Sequence, residues 1–532
     1  MRVRSSRLAP VIWLAFLSLA GFGPAFAESP TPNAEDFRNA ASDVENWILP
    51  AKSYANNPLT PSTEITRGNI AKLRLAWRHS EKRGEITAPP LVWRGTMFVA
   101  TSAGAVMALD AATGNAKWRV EEKAGGGWLA LFDGHLFYAT RGGDLLALDP
   151  ASGHTQWEVA AAPGFVTAPI PYDNLATGVN MLVIGIGASA AGEAGGVGAF
   201  AARDGKQLWF WQAIPGPGSV GHESWGGESW RRGGVAPAGI GISPAAHTLF
   251  VTLGSPAPSY DGAQRPGDNF YSDSLVALDI IGTSPKLRGY HQFIGHDVWN
   301  WGMATAPMLL FGRVGEREHN LVVTGDRGGN LWVTDGDNGA LLDHSALAFV
   351  KNGATRAAGG GAVICPAIDG GIQSFGGAFD PSTNTLFIAN TDQCATVSLG
   401  KTGADVSVLG PGVTSFNAIA LASGTFLWRE HFARPHQRSG EGGVSASFAG
   451  MPRLGPPLDK AINAGALLTA SGFVFTGGPD GVLTAFDAHT GQVVWHEVAG
   501  VEITTPAIAY RAGHGDMIAV GAGSEIAVFA EP

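Results

Sequence analysis

One eleven-residue pattern constrains this chain more than any other feature. ALDAATGNAKW ends at Trp118, ALDPASGHTQW at Trp157, AFAARDGKQLW at Trp209, AIALASGTFLW at Trp428 and AFDAHTGQVVW at Trp495. Each copy reads as an apolar strand running to or near an Asp, a turn whose Gly (Gly114, Gly153) supplies a positive φ, and a second strand carrying the Trp. LVALD at 275–279 and WVTDGDNG at 332–339 are worn copies. The Asp is suited to accept N–H groups in the turn, and the Trp ring to pack against the neighbouring repeat. Such a unit cannot bury both faces alone, so copies must stack, and closing the ring removes exposed sheet edges. At roughly 60 residues per copy, about eight units fit the chain. The expected fold is all-β: a single eight-bladed β-propeller of four-stranded antiparallel blades over residues 28–532.

Composition agrees. With 75 glycines, 16 tryptophans and only 15% charged residues in 532, the chain suits many short strands joined by tight turns. GNIAKLRLAW (68–77) is the best short helix, ahead of the first blade. The tail MIAVGAGSEIAVFAEP offers two short strands to close the ring, with the segment just after the signal as their expected partner. Arg2, Arg4 and Arg7 precede an apolar run that ends at Ala25-Phe26-Ala27, the pattern of a signal peptide over 1–27 and an address in the periplasm. No later run reaches the roughly 18 apolar residues of a membrane span. The net charge of −10 argues against a nucleic-acid partner. Cys365 and Cys394 are the only cysteines; an oxidising compartment favours one disulfide over two buried thiols. Without a C-x-x-C-H motif the chain carries no covalent haem.

Longer stretches carry a resemblance. NWILPAKSYANNPLTPSTEITRGNIAKLRLAW (46–77), ESWRRGG (228–234), RPGDNFYSDSLVALD (265–279), HQFIGHDVWNWG (291–302), CPAIDGGIQSFGGAFDPSTNTLFIANTDQC (365–394) and GFVFTGGPDGVLTAFDAHTGQVVW (472–495) together resemble the quinoprotein alcohol dehydrogenases. That family is an eight-bladed propeller using pyrroloquinoline quinone (PQQ) and a calcium or lanthanide ion. The resemblance implies oxidation of an alcohol, with electrons passed to a separate cytochrome c. A carboxylate would accept the alcohol proton, a hard cation with oxygen ligands would polarise the quinone, and an aromatic face and a basic side chain would hold it.

Mapped residue by residue, this chain departs from the family at most of those places. The family motif H-D-x-W-D ends in the proton acceptor, which here is Asn300; Asp297 is the carboxylate that could substitute. Lanthanide-using members carry a further Asp where this chain has Gly302. The metal-ligating Asn of T-G-N-P becomes Ser255, and the ligating Glu maps to Ala190, with Glu193 three residues on. The Trp beneath the quinone maps to Pro237, a second pocket aromatic to Asn463, and an expected Arg to Gly127; the adjacent-cysteine pair is absent. Thr167, Arg327 and the Cys365–Cys394 pair match. Arg327 reads equally well as a surface Arg at a blade turn. His291 and His296 read as turn or core hydrogen-bonding residues, since strand positions of opposite parity face opposite ways. The alternative to a dehydrogenase is a non-catalytic propeller, binding a small molecule or serving as an assembly scaffold.

Overall fold

The structure is a computed structural model that describes residues 30–532 except 123–124, 190–191, 352–360, 368–369, 374–375, 401–402, 433–464 and 514. The expected signal peptide therefore lies outside the described residues. Eight antiparallel sheets follow one another around a ring. Numbered in chain order, blade 1 spans 91–121, blade 2 127–160, blade 3 170–212, blade 4 237–292, blade 5 308–346, blade 6 362–431 and blade 7 467–498. Blade 8 joins the ends of the chain: its outer strand Arg74–Ser80 pairs with Glu525–Ala530, which continues into Gly515–Ala522 and Ile508–Ala512. The tail thus closes the ring, as its pattern predicts, but its partner is the strand Arg74–Ser80 and not the segment just after the signal. Blades 6 and 7 gain a fifth strand; in blade 7 it is Leu59–Thr60, lying parallel to Leu467–Thr469.

The repeat works as its residue types require. Asp110 accepts from the N–H groups of Ala112 (3.1 Å) and Thr113 (3.0 Å), and Asp149 from those of Ala151 (2.8 Å) and Ser152 (2.9 Å). Three outer-strand tryptophans donate to the next blade's turn. The indole of Trp118 donates to Pro150 O (3.0 Å), that of Trp77 to Ala111 O (3.2 Å) and that of Trp428 to Ala488 O (2.9 Å). The turn glycine is needed twice over. Gly491 has φ +74°, and a Cβ there would sit 2.7 Å from the Trp428 ring; Gly153 would meet Trp118 at 2.6 Å. A ring lying flat on the turn excludes any side chain.

The expected helix at 68–77 is corrected. Only Ile70–Lys72 turns, as a 3-10 helix, and Arg74–Ser80 is a strand, because its backbone completes blade 8 and Trp77 must lie on Gly114. The α-helix is instead Ala34–Asn39, capped by Asn33 Oδ1, which accepts from Glu35 N–H (2.7 Å), while Asp36 reaches back to Asn33 N–H (2.8 Å). The following segment plugs one end of the ring. Tyr54 donates to Pro171 O (2.6 Å), and the Asn56 amide donates to Ile240 O (2.7 Å) and Pro307 O (3.0 Å).

Candidate functional site

A cavity of about 360 Å3 runs along the propeller axis, walled by the inner edges of blades 2 to 8 and the plug at 50–58. Much of the wall is apolar, with Pro50, Val166, Ile170, Ile240, Ala306 and Pro506 among it. Two guanidinium groups enter it, Arg141 from blade 2 and Arg327 from blade 5, and among the described residues no carboxylate lines it. Asn56, Trp128, Thr167 and Gln373 complete the polar wall. Arg141 stacks 4.5 Å from the centre of the Trp128 ring, and burial holds its guanidinium below its ordinary pKa. The Arg327 Nε is buried with no hydrogen-bond partner among the described residues. An unpartnered donor of this kind is costly unless a ligand takes it.

Thr167 does line this cavity, but its hydroxyl is already engaged. It accepts from Gly185 N–H (2.8 Å) and donates to Ala168 O (3.3 Å). The same staple recurs between Thr305 and Gly325 (2.9 Å) and between Thr505 and Gly521 (2.8 Å), so it is a device of the repeat. Pro237 opens the strand Pro237–Ser243 just behind the wall, where Ala238 and Gly239 face the cavity.

The stretch around Asn300 forms a capped turn. Asp297 is fully buried, and its two carboxylate oxygens accept from Trp299 N–H (2.8 Å) and Trp301 N–H (2.9 Å). Asn300 then sits at φ +63°, a left-handed position that asparagine tolerates well. Trp299 and Trp301 stack at 5.3 Å, and the Trp301 indole donates to Pro366 O (2.9 Å). Ser255 Oγ accepts from Gly302 N–H (2.7 Å), and a Cβ at Gly302 would lie 2.1 Å from Ser255 N. His296 Nδ1 bonds Gly267 O (2.8 Å), whereas His291 lies on the strand Lys286–Gln292 opposite Leu275, and burial lowers its pKa. The two histidines do not converge.

Sequence reasoning missed two buried carboxyls near this turn. Asp273 is fully buried beside Asp297, and burial raises the pKa of both, Asp273 the further. Neither Asp273 oxygen has a hydrogen-bond partner among the described residues, and the neighbouring Asp297 charge adds to the burial that favours its neutral form. The fully buried Arg265 helps hold the group, donating to Asp297 O and to Asn269 Oδ1 (2.8 Å). Asp326, next to Arg327, is pushed up to about 7 by burial although Asn330 (2.9 Å) and the Trp332 indole (2.7 Å) donate to it. Asp273 stands one residue before the strand Ser274–Asp279 and Asp326 one residue after Arg317–Gly325, so neither lies in the eleven-residue pattern and the sequence did not single them out.

Glu193 lies elsewhere, in a larger outer cleft of about 640 Å3 with Phe210, Trp230 and Arg232, hydrogen-bonded by Ser189 Oγ (3.2 Å). Ala190 and Asn463 lie outside the described residues. Cys365 and Cys394 form a disulfide in blade 6. Taken together, the residues fit one part of the family's equipment and not the other. A hard cation needs several oxygen ligands. Ser255 is spent on backbone, both Asp297 oxygens are capped, Glu193 faces another cleft, and no group of three His, Cys, Asp or Glu side chains meets among the described residues. An anion fits the axial cavity well, since two cations line it with no counter-charge among the described residues.

Comparison with known proteins agrees with this architecture. The family model for the β-propeller domain of PQQ glucose/ethanol/alcohol dehydrogenases matches residues 47–127 and 163–344. The quinoprotein alcohol dehydrogenase PedH of Pseudomonas putida is 24% identical, over 92% of this chain and 87% of that protein. The quinohemoprotein alcohol dehydrogenase of Comamonas testosteroni is also 24% identical, over 96% of this chain and 79% of that protein. The solved structure of a europium-containing methanol dehydrogenase shares the fold with a TM-score of 0.79 at 21% identity, covering 93% of this chain and 100% of that one. The chain belongs to the PQQ β-propeller family of the quinoprotein alcohol dehydrogenases.

Proposed function

We propose that this chain is an exported, periplasmic propeller of the quinoprotein type whose axial cavity binds a small anionic ligand, and that it does not carry out metal-assisted alcohol oxidation. The observation that carries the reading is the cavity wall: two guanidinium groups, no carboxylate among the described residues, and an unpartnered Arg327 Nε. When bound in the family, PQQ with its metal accepts hydride from the alcohol while a carboxylate takes the proton. Asn300 cannot hold that proton at neutral pH, and Asp297 has both oxygens capped and its pKa raised by burial. Export is supported by the Arg-led apolar N-terminus and by the disulfide. No helix among the described residues is long and apolar enough to cross a membrane.

The second reading is a working dehydrogenase that passes electrons to a separate cytochrome c; its support is family membership and the cavity positions of Arg327 and Thr167. Dye-linked oxidation of short alcohols and aldehydes, with PQQ and either calcium or a lanthanide added, separates the two. No turnover above that of protein-free controls is expected. Metal-dependent turnover would establish the second reading and make Asp297 and Glu193 the residues to mutate next.

A further inference from the structure

The family's arginine position maps to Gly127, where the structure leaves no room for any side chain. A Cβ on Gly127 would lie 2.2 Å from Ala139 O and 2.8 Å from the Tyr138 ring. The strands Gly127–Phe132 and His135–Thr140 pair so that Gly127 lies opposite Thr140, which places residue 141 alongside 126 and 127. The Arg141 N–H donates to Gly126 O (3.0 Å). From there the side chain passes over Gly126, where an added Cβ would come within 3.7 Å of Arg141 Nε, and enters the axial cavity. Trp128, the first residue past Gly127, lies beneath the guanidinium at 4.5 Å and is 7% exposed. A long cation is thereby held toward the cavity when it could have extended into water.

We propose that Arg141, oriented by Trp128, forms with Arg327 a two-guanidinium clamp for a small organic ligand bearing at least two carboxylates, bound without a metal ion. This rests on the anion-binding reading of the cavity and names the residues and ligand class. The guanidinium missing at 127 returns from the neighbouring strand, one cross-strand step away. Planar guanidinium forks match carboxylates two hydrogen bonds at a time, and the Arg327 Nε–H has no other acceptor among the described residues. The apolar part of the wall, Val166, Ile170 and Ile240 among it, suits the organic body of such a ligand. A divalent or trivalent cation would be repelled by the same two charges.

The test is equilibrium binding of PQQ, itself a polycarboxylate, to the full chain in buffer with a chelator, read by tryptophan fluorescence and by calorimetry. The wild-type chain should bind, and binding should weaken as salt is raised. Arg141→Leu and Arg327→Leu should each weaken it at least about tenfold, the scale of one lost charge-assisted contact. Arg141→Lys should fall between, since it keeps charge and loses the fork. Trp128→Leu should weaken binding through Arg141, so adding Arg141→Leu to it should cost little more; a full additive loss would remove Trp128 from its positioning role. Melting temperatures report folding, and Arg141→Lys stands in if Arg141→Leu does not fold. No binding by the wild-type chain, or unchanged affinity in both Arg141 variants, would overturn the clamp. Turnover with added metal would overturn the proposed function alone, because the ratio of variant to wild-type affinity is measured in chelator.

Discussion

At the scale of single residues, the departures from the family make one chemical pattern. On the proposed mapping Asn300 stands where the family carries its proton acceptor, and the carboxyls nearby are buried and held neutral or capped. Asp326 makes this measurable. Its folded-state pKa of about 7 lies above the ordinary 3.8, so folding takes up a proton between those values. The contribution to stability is full below about pH 4 and is lost as pH rises through 7, on the order of 4 kcal/mol for a shift of this size. Asp273 and Asp297, also raised, act in the same sense. Urea unfolding from pH 4.5 to 7.5 should therefore show falling stability, with a visibly shallower fall in Asp326→Asn. An identical slope in the variant would mean that Asp326 is ionised throughout.

At the scale of elements, the unit of stability is the tryptophan of one blade lying on the turn glycine of the next. Where the tryptophan is lost the contact changes character: Gly424 in blade 6 faces Ser345 of blade 5, whose outer strand, like that of blade 4, carries no Trp. Gly491→Ala should destabilise the chain by about 2–4 kcal/mol, combining a strained positive φ with a methyl forced into the Trp428 ring. Gly95, also at positive φ (+72°) but with nothing within 4 Å, should lose only about 1 kcal/mol on the same change. Thermal melting of the two variants side by side checks this; equal losses would leave backbone strain as the whole effect.

At the scale of the whole molecule, the ring exists because its ends meet. The strand Arg74–Ser80 has Glu525–Ala530 as its partner, and the other edge of that strand passes to Gly515–Ala522. Removing 526–532 strips the partner from 74–80 and exposes strand edges on both sides of the gap. The truncated chain should be insoluble, or should melt far below the full chain. A soluble protein with an unchanged melting temperature would show that blade 8 closes without it.

Blade number, strand order within a repeat, the roles of Asp, Gly and Trp, and ring closure by the tail were legible in the sequence. Each depends on neighbours within about a dozen residues or on a motif repeated often enough to average out local ambiguity. The strand at 74–80 was not, because LRLAW fits helix and strand alike until Glu525–Ala530 lies beside it. The cavity was the least legible part. Its wall draws on residues from Pro50 to Pro506, and whether a side chain enters it is set by strand register, where one step reverses the facing. That is why Gly127 read as a lost arginine while Arg141 passed unnoticed, why the Thr167 hydroxyl proved to be a staple, and why Glu193 faces a different cleft. The sequence determined the ring; only the tertiary structure decided which charges meet at its axis, because that depends on seven blades being brought together across four hundred residues of chain.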